Sequence, residues 1–316
     1  MPIALENFFQ ALVAGILVGG MYGLMCVGLG LIFGVMRVIN FAQGDFLMLG
    51  MYVAYYLVTG FGLLAFLGSS ASPFAAAALA GPVVFILGYY LNRGLISRVT
   101  GIRVVSAEAG GHYAQLILTL GLSLVLQNGG LIVFGSMPQS IRTPLASSAW
   151  EIGPFFGGAG SVFLNQARSY GSLVAAVVVI GLCLFMSRSR LGKTRAAADN
   201  PEAATYMGID VDRAHRVAFA LGVGITAVAG GLVGTYYPFQ PYVGLDFVII
   251  MYAGVVLGGM GSIPGAFAGG MTIGFVQQLS TLVLPTQLQN TAIFVVFLLV
   301  VTFRPEGLFG RAVERA

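Results

Sequence analysis

The chain alternates between long apolar runs and short breaks that are polar or rich in glycine and proline. A helix needs about 20 apolar residues to cross the hydrocarbon core of a bilayer, and most of the runs approach that length. None shows the strict apolar–polar alternation of an outer-membrane barrel strand. The pattern predicts eight or nine membrane-spanning helices, at about 8–35, 45–66, 74–97, 115–135, 168–187, 214–236, 246–261, 262–283 and 290–303.

Composition strengthens this interpretation. Hydrophobic residues make up 58% of the chain and charged residues only 8%, against about 25% charged in an average soluble protein. Since lipid offers no hydrogen bonds to the backbone, the expected fold is an all-α integral membrane protein, a single transmembrane domain over residues 1–316. The apolar run that begins near the N-terminus lacks the basic flank of a secretory signal, so it is expected to be retained as a span.

Two further features of the spans concern their packing and symmetry. Glycines recur four residues apart in several runs, which predicts close helix–helix packing. The glycines around Pro264 divide one apolar stretch into two short helices or a re-entrant pair. The sequence Gly44-Asp45-Phe46 also resembles Gly244-Leu245-Asp246-Phe247. Because these segments fall at opposite ends of their predicted spans, an inverted repeat is one possible architecture.

The basic residues predict an orientation. If the polar segment after residue 187 is cytoplasmic, thirteen of the 15 Lys and Arg residues fall on that side and only Arg142 and Arg168 fall outside. This distribution follows the positive-inside rule and places the N-terminus outside and the C-terminus in the cytoplasm. The longest outside connection, Ser136 to Ala167, holds the single tryptophan, Trp150, which is expected to lie at the headgroup level as part of an interfacial cap.

Motifs for chemistry are weak in this chain. Gly192-Lys193-Thr194 resembles the end of a phosphate-binding loop, but the required upstream glycine is replaced by Ser187 and a membrane span precedes it, so nucleotide binding by this chain is rejected. Neither histidine has a carboxylate or cysteine at a metal-ligand spacing. We therefore expect a membrane protein that is not an enzyme, with no metal and no cofactor of its own.

Polar side chains inside the spans are few, and at membrane depth they are costly unless they face a partner or a cavity. They therefore mark either a translocation pathway or hydrogen bonds between helices, and both interpretations stay open for the amides. Asp45 is expected to cap a helix at a span boundary. The candidates are Asn40, Gln43 and Asp45 near one boundary, Thr119, Ser123, Gln127 and Asn128 along one segment, and Gln277 and Gln278 along another.

Charge is concentrated in one polar segment. Ten charged residues lie between Arg188 and Arg216, out of 15 basic and 11 acidic residues in the whole chain. Within it, helix-forming residues from Arg195 are interrupted at Asn200-Pro201, and a second short helix is predicted to start at Glu202, where a proline and an acidic residue favour a helix N-terminus. A short exposed helix between two spans is well placed to dock on another protein.

This segment carries a resemblance to a known family. Glu202-Ala203-Ala204, with Gly208 after three further residues, resembles the EAA motif of ATP-binding cassette importer permeases. Three other stretches, in order along the whole chain, resemble the branched-chain amino acid permease family, and more narrowly its H-type subunit. They are Asn40-Phe41-Ala42-Gln43-Gly44-Asp45-Phe46, Gly258-Gly259-Met260-Gly261-Ser262-Ile263-Pro264-Gly265 and Arg304-Pro305-Glu306-Gly307-Leu308-Phe309-Gly310.

The resemblance implies a set of partners and roles. The chain would be a multi-pass permease of the bacterial inner membrane, paired with a related permease, two cytoplasmic ATPase subunits that bind ATP and Mg²⁺, and a soluble substrate-binding protein; no nucleic acid is expected. The segment at about 188–213 would couple to the ATPase. Its coupling residues would be Arg195, Pro201, Glu202, Ala203, Ala204 and Gly208.

Alternatives concern the substrate and the class of transporter. Relatives with the same motifs carry urea, short amides or aromatic acids, so branched-chain amino acids are the leading expectation among several. A standalone small-solute channel is the competing class, because such a pore would need no ATPase. It would leave the segment around Glu202 as a solvated loop.

Overall fold

The computed structural model describes residues 2–37, 39–62, 64–100, 110–155, 160–189, 206, 210–304 and 307–308. Within these ranges each predicted apolar run contains one helix, so the polytopic helical bundle is confirmed. The helices are α1 (Pro2–Met36), α2 (Gln43–Tyr55), α3 (Gly68–Leu91), α4 (Gly110–Phe134), α5 (Gln166–Arg188), α6 (Val211–Val233), α7 (Val243–Gly258), α8 (Ile263–Ser280) and α9 (Gln289–Phe303).

Short helical turns extend or join these helices. A π-helical turn, Tyr56–Gly60, continues α2, and a second one, Asn92–Ile96, continues α3 into the single α-helical turn Ser97–Thr100. Five of the described helices are long and apolar enough to cross a bilayer, while α7 and α9 are shorter apolar helices. The remaining turns are the 3₁₀ turns Ala65–Leu67 and Thr286–Leu288 and the one-turn helix Pro144–Ser147.

Helices α1 and α6 form the centre of the bundle. In each, 83% of the most apolar 18-residue window is buried, against 28% in α4 and α5. The most extensive contacts join α1 to α8 and α6 to α3, and α1 and α6 also pack on each other. Because apolar side chains face lipid as readily as protein, the exposed faces of α4 and α5 are compatible with a bilayer environment.

A β-hairpin marks one end of the bundle, which we call the hairpin side. Strands β1 (Ala149–Phe155) and β2 (Gly160–Asn165) pair antiparallel, with Trp150 opposite Leu164. The side-chain amide of Gln10 donates to the Phe163 carbonyl (2.8 Å) and accepts from its N–H (2.9 Å), so the hairpin is fixed to α1. Sequence patterns alone do not predict this hairpin, although they place Trp150, which is 41% exposed, on the surface of the same connection.

Other connections reach the hairpin side as well. Gln139 pairs with Phe239 by two backbone hydrogen bonds, which joins the connection after α4 to the one after α6. The Thr143 hydroxyl donates to the Ser69 carbonyl at the start of α3. The C-terminal ends of α1, α5 and α7 therefore lie at the other end of the bundle, which we call the opposite side. There the Leu308 N–H donates to the Leu257 carbonyl.

The glycine-rich break between α7 and α8 is a turn between two helices. Gly259 and Gly261 have φ values of 94° and 92°, which side chains with a Cβ rarely adopt. Ser262 then caps α8 by accepting from the Gly265 N–H at 3.2 Å, with a proline in the first turn. Glycines expected to permit close packing do so here, since a Cβ on Gly258 would collide with Gly265 of α8, and a Cβ on Gly269 of α8 would collide with the Gly254 carbonyl.

The two segments with similar sequences meet inside the bundle. A Cβ added to Gly44 would collide with the backbone of Gly244, and a Cβ added to Gly244 would collide with the backbone of Gly44. Helix α2 follows a connection on the opposite side and α7 follows one on the hairpin side, so the two helices start from opposite ends. Together with the matching packing of α1 on α8 and of α6 on α3, this arrangement supports an inverted repeat of α1–α3 and α6–α8.

Candidate functional site: a polar junction at the start of α2

Helix α2 starts inside the bundle at Gln43, after α1 has ended at Met36. Arg37 leaves the helical conformation of α1 with φ 53°, and the Asn40 side-chain oxygen then accepts from the Ala42 N–H at 3.2 Å. Around this start lies a group of polar side chains, which we call the α2 junction. Its members are Asn40, Gln43, Asp45, Thr119, Ser123, Gln127 and Thr226, and all are buried.

Gln43 connects α2 to α6. Its amide nitrogen donates to the Thr226 hydroxyl at 2.6 Å, and its amide oxygen accepts from the Asn40 amide at 2.9 Å. Thr226 in turn donates to the Gly222 carbonyl at 3.0 Å. The close approach that this geometry needs is provided by Gly222, which lies against Gly28 of α1 with no space for a Cβ on either residue.

Asp45 connects α2 to α4. One carboxyl oxygen accepts from the Gln127 amide at 3.0 Å, and the same amide donates to the Ser123 hydroxyl at 2.9 Å. The residue before the first turn of α2 is Ala42, and no side chain caps the helix there. Asp45 therefore forms a bond between helices instead of the boundary cap that the sequence analysis expected.

The inward face of α4 is polar at every fourth residue: Gln115, Thr119, Ser123 and Gln127 are all buried. The Thr119 hydroxyl accepts from the Phe41 N–H at 3.4 Å, so α4 contacts the residues just before α2. Residues four apart in a helix lie on nearly the same face, so these side chains form one stripe along the side of α4 that faces the bundle. This stripe brings Thr119 and Gln127, from one predicted span, to the start of α2, where Asp45 of another predicted span lies.

Two other candidates lie elsewhere. Asn128 is exposed, and its amide donates to the Leu124 carbonyl of its own helix at 2.8 Å. Gln277 accepts from the Tyr22 hydroxyl at 2.9 Å between α8 and α1, away from the start of α2. Asn128 therefore belongs to the outer face of α4, and Gln277 to a second polar cluster nearer the hairpin side.

That second cluster is aromatic and cationic. The Arg168 guanidinium lies 5.0 Å from the centre of the Tyr236 ring, and the Tyr237 ring meets the Phe247 ring edge-on at 5.5 Å. Tyr236 and Tyr237 lie in the connection after α6, and burial raises the pKa of both phenols. Since both phenols stay neutral, the cluster supplies hydroxyl groups beside a cation, close to the start of α5.

Sequence reasoning missed Thr226, the hydroxyl to which Gln43 donates. The available signal was a single hydroxyl residue within an otherwise apolar and glycine-rich stretch of α6, Gly222-Val223-Gly224-Ile225-Thr226-Ala227. The predicted coupling residues Arg195, Pro201, Glu202, Ala203, Ala204 and Gly208 lie outside the described residues.

The chemistry available at the α2 junction is hydrogen bonding. Amides, hydroxyls and one carboxyl group join the start of a broken helix to α4 and α6, and helix starts of this kind in membrane proteins often lie beside transported solutes. These groups can hold the helices in place or contact a polar solute. Such an arrangement is typical of a transport protein whose helices must move.

Comparisons with known proteins agree with this interpretation. Residues 11–303 match the family model described as branched-chain amino acid transport system, permease component. The chain is 33% identical to the high-affinity branched-chain amino acid transport system permease protein BraD of Pseudomonas aeruginosa, and the match covers 96% of each protein. It is 30% identical to LivH of Escherichia coli K12, a permease protein with the same description, again over 96% of each.

A more distant relative has a different printed function. The fructose import permease protein FrcC of Rhizobium meliloti is 29% identical over 64% of this chain and 54% of its own length. No solved structure matches the chain. The family model covers residues 11–303 and each of the two permeases matches 96% of the chain, so the chain belongs to the family of branched-chain amino acid transport system permease components.

Proposed function

We propose that this chain is a membrane permease subunit of an ATP-driven importer that carries branched-chain amino acids across the bacterial inner membrane. The observation that carries the proposal is the match to BraD and LivH over 96% of each protein. A resemblance restricted to a few motifs would support the family alone. A match that extends through every described helix supports the same type of transport.

The proposed partners follow from the same family. A related permease would complete the translocation pathway, two ATPase subunits would bind ATP and Mg²⁺, and a soluble binding protein would deliver the solute on the hairpin side. This chain would hydrolyse nothing itself. The coupling segment, with Glu202, Ala203 and Ala204 at its centre, would contact one ATPase.

Helix α6 is suited to transmit the movement of that segment. It begins at Val211, directly after the coupling residues, with Asp210 as its N-cap, and it packs on α1, α2 and α3. Its Thr226 accepts the hydrogen bond from Gln43. A shift of the coupling segment would therefore act on the α2 junction through one rigid helix. We propose that α2 and its candidate pathway residues Asn40, Gln43, Asp45, Thr119 and Gln127 change position during transport.

The test is reconstitution in liposomes with the neighbouring permease, the ATPases and the binding protein. ATP-dependent uptake of labelled leucine is the expected result, with Glu202→Lys abolishing uptake. Glu151→Lys makes the same charge change on the exposed β1 strand, on the hairpin side, whereas α6 begins on the opposite side. Basal ATP hydrolysis of this variant is the control for assembly. Solute flux through this chain alone, without ATP, would replace the importer by a channel.

A second candidate substrate rests on the similarity to FrcC, whose name gives fructose as its cargo. Labelled fructose, urea and an aromatic acid are therefore included beside leucine. ATP hydrolysis that responds to one of them and not to leucine would keep the importer and change its substrate. Alanine at Gln43 or Gln127 that leaves uptake and ATP hydrolysis unchanged would remove those residues from the pathway.

A further inference from the structure

Unpartnered buried polar atoms occur on three helical segments toward the opposite side of the bundle. Among the described residues, six buried side-chain atoms lack a hydrogen-bond partner, and four of them belong to Asn92, Gln115 and Arg216. Asn92 is 1% exposed and leaves both its amide nitrogen and its amide oxygen unpartnered; Gln115 is 4% exposed. Buried polar groups in native proteins are nearly always hydrogen-bonded, so this group needs an explanation.

Asn92 and Arg216 lie on facing helices. A Cβ on Gly88 of α3 would meet Ala220 and the Phe219 ring of α6, and the two helices run antiparallel, since a Cβ on Gly231 would meet Ala77 at their other end. Asn92 lies one turn beyond Gly88, and Arg216 lies one turn before Ala220. The two side chains therefore occupy the same level of the bundle, and the π-helical turn that starts at Asn92 contacts α6.

Gln115 approaches the same level from α4. Leu118 and Leu122, the next residues on the inward face of α4, pack in one apolar cluster with Ile96 and Phe219. That cluster therefore joins the end of α3, the first half of α4 and the first half of α6. On α4, Gln115 lies one turn nearer the opposite side than Leu118, as Arg216 on α6 lies one turn nearer it than Phe219. We call Asn92, Gln115 and Arg216 the Asn92 group.

The backbone at this place is also unusual. Residues Asn92–Ile96 form a π-helical turn between two α-helical stretches. Such turns are rare in proteins and occur frequently at functional sites. A π-helical turn holds one more residue than an α-helical turn, which changes the direction of the side chains around it. Here the π-helical turn starts at Asn92, the most deeply buried member of the Asn92 group.

The chemistry of the Asn92 group is mostly that of a donor. The Arg216 Nε, the Gln115 Nε2 and the Asn92 Nδ2 all donate, and the Asn92 Oδ1 alone accepts. A carboxylate accepts only and an ammonium donates only. An α-amino acid carries both groups on one carbon, so its carboxylate matches the three donors and its ammonium matches the acceptor. The neighbouring apolar cluster, with Ile96, Leu122 and Phe219, matches an aliphatic side chain.

We propose that the Asn92 group is a transit site for the amino acid on the opposite side of the bundle. The assignment rests on the proposed function, since it names residues for the same substrate. The helices are closed around the group in this structure, so the site opens as α3 and α6 move apart. The coupling segment leads directly into α6, which places this opening under the control of the ATPase movement. A solute or water then takes the place of the missing hydrogen-bond partners.

Asn92→Leu in the reconstituted complex is the decisive variant. Leucine keeps the size of the side chain and removes the unpartnered polar atoms, so a merely structural asparagine would be replaced without loss of transport. We expect leucine uptake to fall by about tenfold or more, since a hydrogen bond to a charged group is worth roughly ten- to a hundredfold in binding. ATP hydrolysis stimulated by the binding protein should stay within about twofold, because the ATPase contacts are unchanged.

Tyr52→Phe is the matched control. It also removes a buried and unpartnered polar atom, but the Tyr52 ring stacks on Phe134 at 4.0 Å, toward the hairpin side. Its uptake should equal that of the wild type. Should Asn92→Leu lose both uptake and ATP hydrolysis, Gln115→Leu and Arg216→Lys test the same site, and a selective loss of uptake in both would support it.

Each remaining outcome counts against the proposal. Wild-type uptake by Asn92→Leu, or by both Gln115→Leu and Arg216→Lys, would overturn the transit site and leave the importer intact. Equal losses in Asn92→Leu and Tyr52→Phe would assign the effect to packing and overturn the site. A wild-type complex that hydrolyses ATP and does not carry leucine would overturn the proposed substrate, and the amino-acid assignment with it.

Discussion

The α2 junction and the Asn92 group are both polar, both place polar atoms in the interior and both include residues of α4 and α6, yet they differ in how their hydrogen bonds are satisfied. At the α2 junction Gln43 and Asp45 each have a side-chain partner on another helix. In the Asn92 group neither amide atom of Asn92 has one. Because an unmade buried hydrogen bond costs more than a made one contributes, the first region stabilises this arrangement of the helices and the second opposes it.

The largest loss of stability is expected when a hydrogen bond of the α2 junction is removed. Gln127→Leu leaves the Asp45 carboxyl group buried without its amide donor, so the free energy of unfolding should fall by about 3 kcal/mol. Thermal unfolding of the purified permease in detergent measures this. Asn128→Leu is the control, since its exposed amide bonds only to its own helix, and it should change stability by no more than about 0.5 kcal/mol. Similar losses in both variants would contradict the comparison.

A smaller loss of stability is expected from a substitution where α2 crosses α7. Gly44→Ala places a methyl group against the Gly244 backbone, and overpacking of this kind costs about 2 kcal/mol. The same substitution at Gly121, whose Cβ would meet nothing within 4 Å on the outer face of α4, should raise stability by up to about 1 kcal/mol because alanine favours helices. Equal unfolding temperatures for the two variants would show that the two helices separate easily.

Gln43→Leu should have a moderate effect. The Asn40 amide loses its acceptor, whereas Thr226 keeps its bond to the Gly222 carbonyl, so we expect a loss of about 1–2 kcal/mol. The double variant with Thr226→Val should lose less than the sum of the two single variants, because both remove the same bond. Strict additivity in the unfolding measurements would mean that the two side chains do not interact.

The smallest predicted change in stability is a gain, not a loss. Asn92→Leu removes two unpartnered buried atoms, and we expect the closed permease to become about 1 kcal/mol more stable. The measurement is thermal unfolding without substrate, with Tyr52→Phe as a second variant expected to gain stability. A lower unfolding temperature for Asn92→Leu would show that the amide is satisfied in the closed state, and the contrast between the two regions would disappear.

The sequence was sufficient to predict much of the fold. The apolar runs predicted each described helix, and the glycines around Gly259 marked the turn between α7 and α8. Both features depend on local rules, namely the length of an apolar run and the freedom of glycine to adopt positive φ. The β-hairpin escaped prediction because its stability comes from Gln10, a residue in a helix far away in the sequence.

The candidate site was predicted only in part, for the same reason. Polar residues within apolar runs identified Gln43, Asp45 and Gln127, but the pattern could not separate Gln127 from Asn128, because adjacent residues in a helix point in different directions. Asn92 lies near the end of a predicted span, where a polar amide is not unusual, so the pattern does not single it out. Its burial arises from the packing of α3 on α6, which local sequence patterns do not reveal.

The packing of α1 on α8 has a consequence for biosynthesis. Gly19 and Gly23 of α1 lie against Met271 and Phe267 of α8, so α1 meets its main neighbour only after more than 240 further residues have been translated. At roughly 5–20 residues per second, α1 waits on the order of 10–50 s in the membrane with its glycine face unoccupied. During that interval the translocation machinery or an insertase would have to shield the nascent chain, and the permease becomes compact only when its eighth helix arrives.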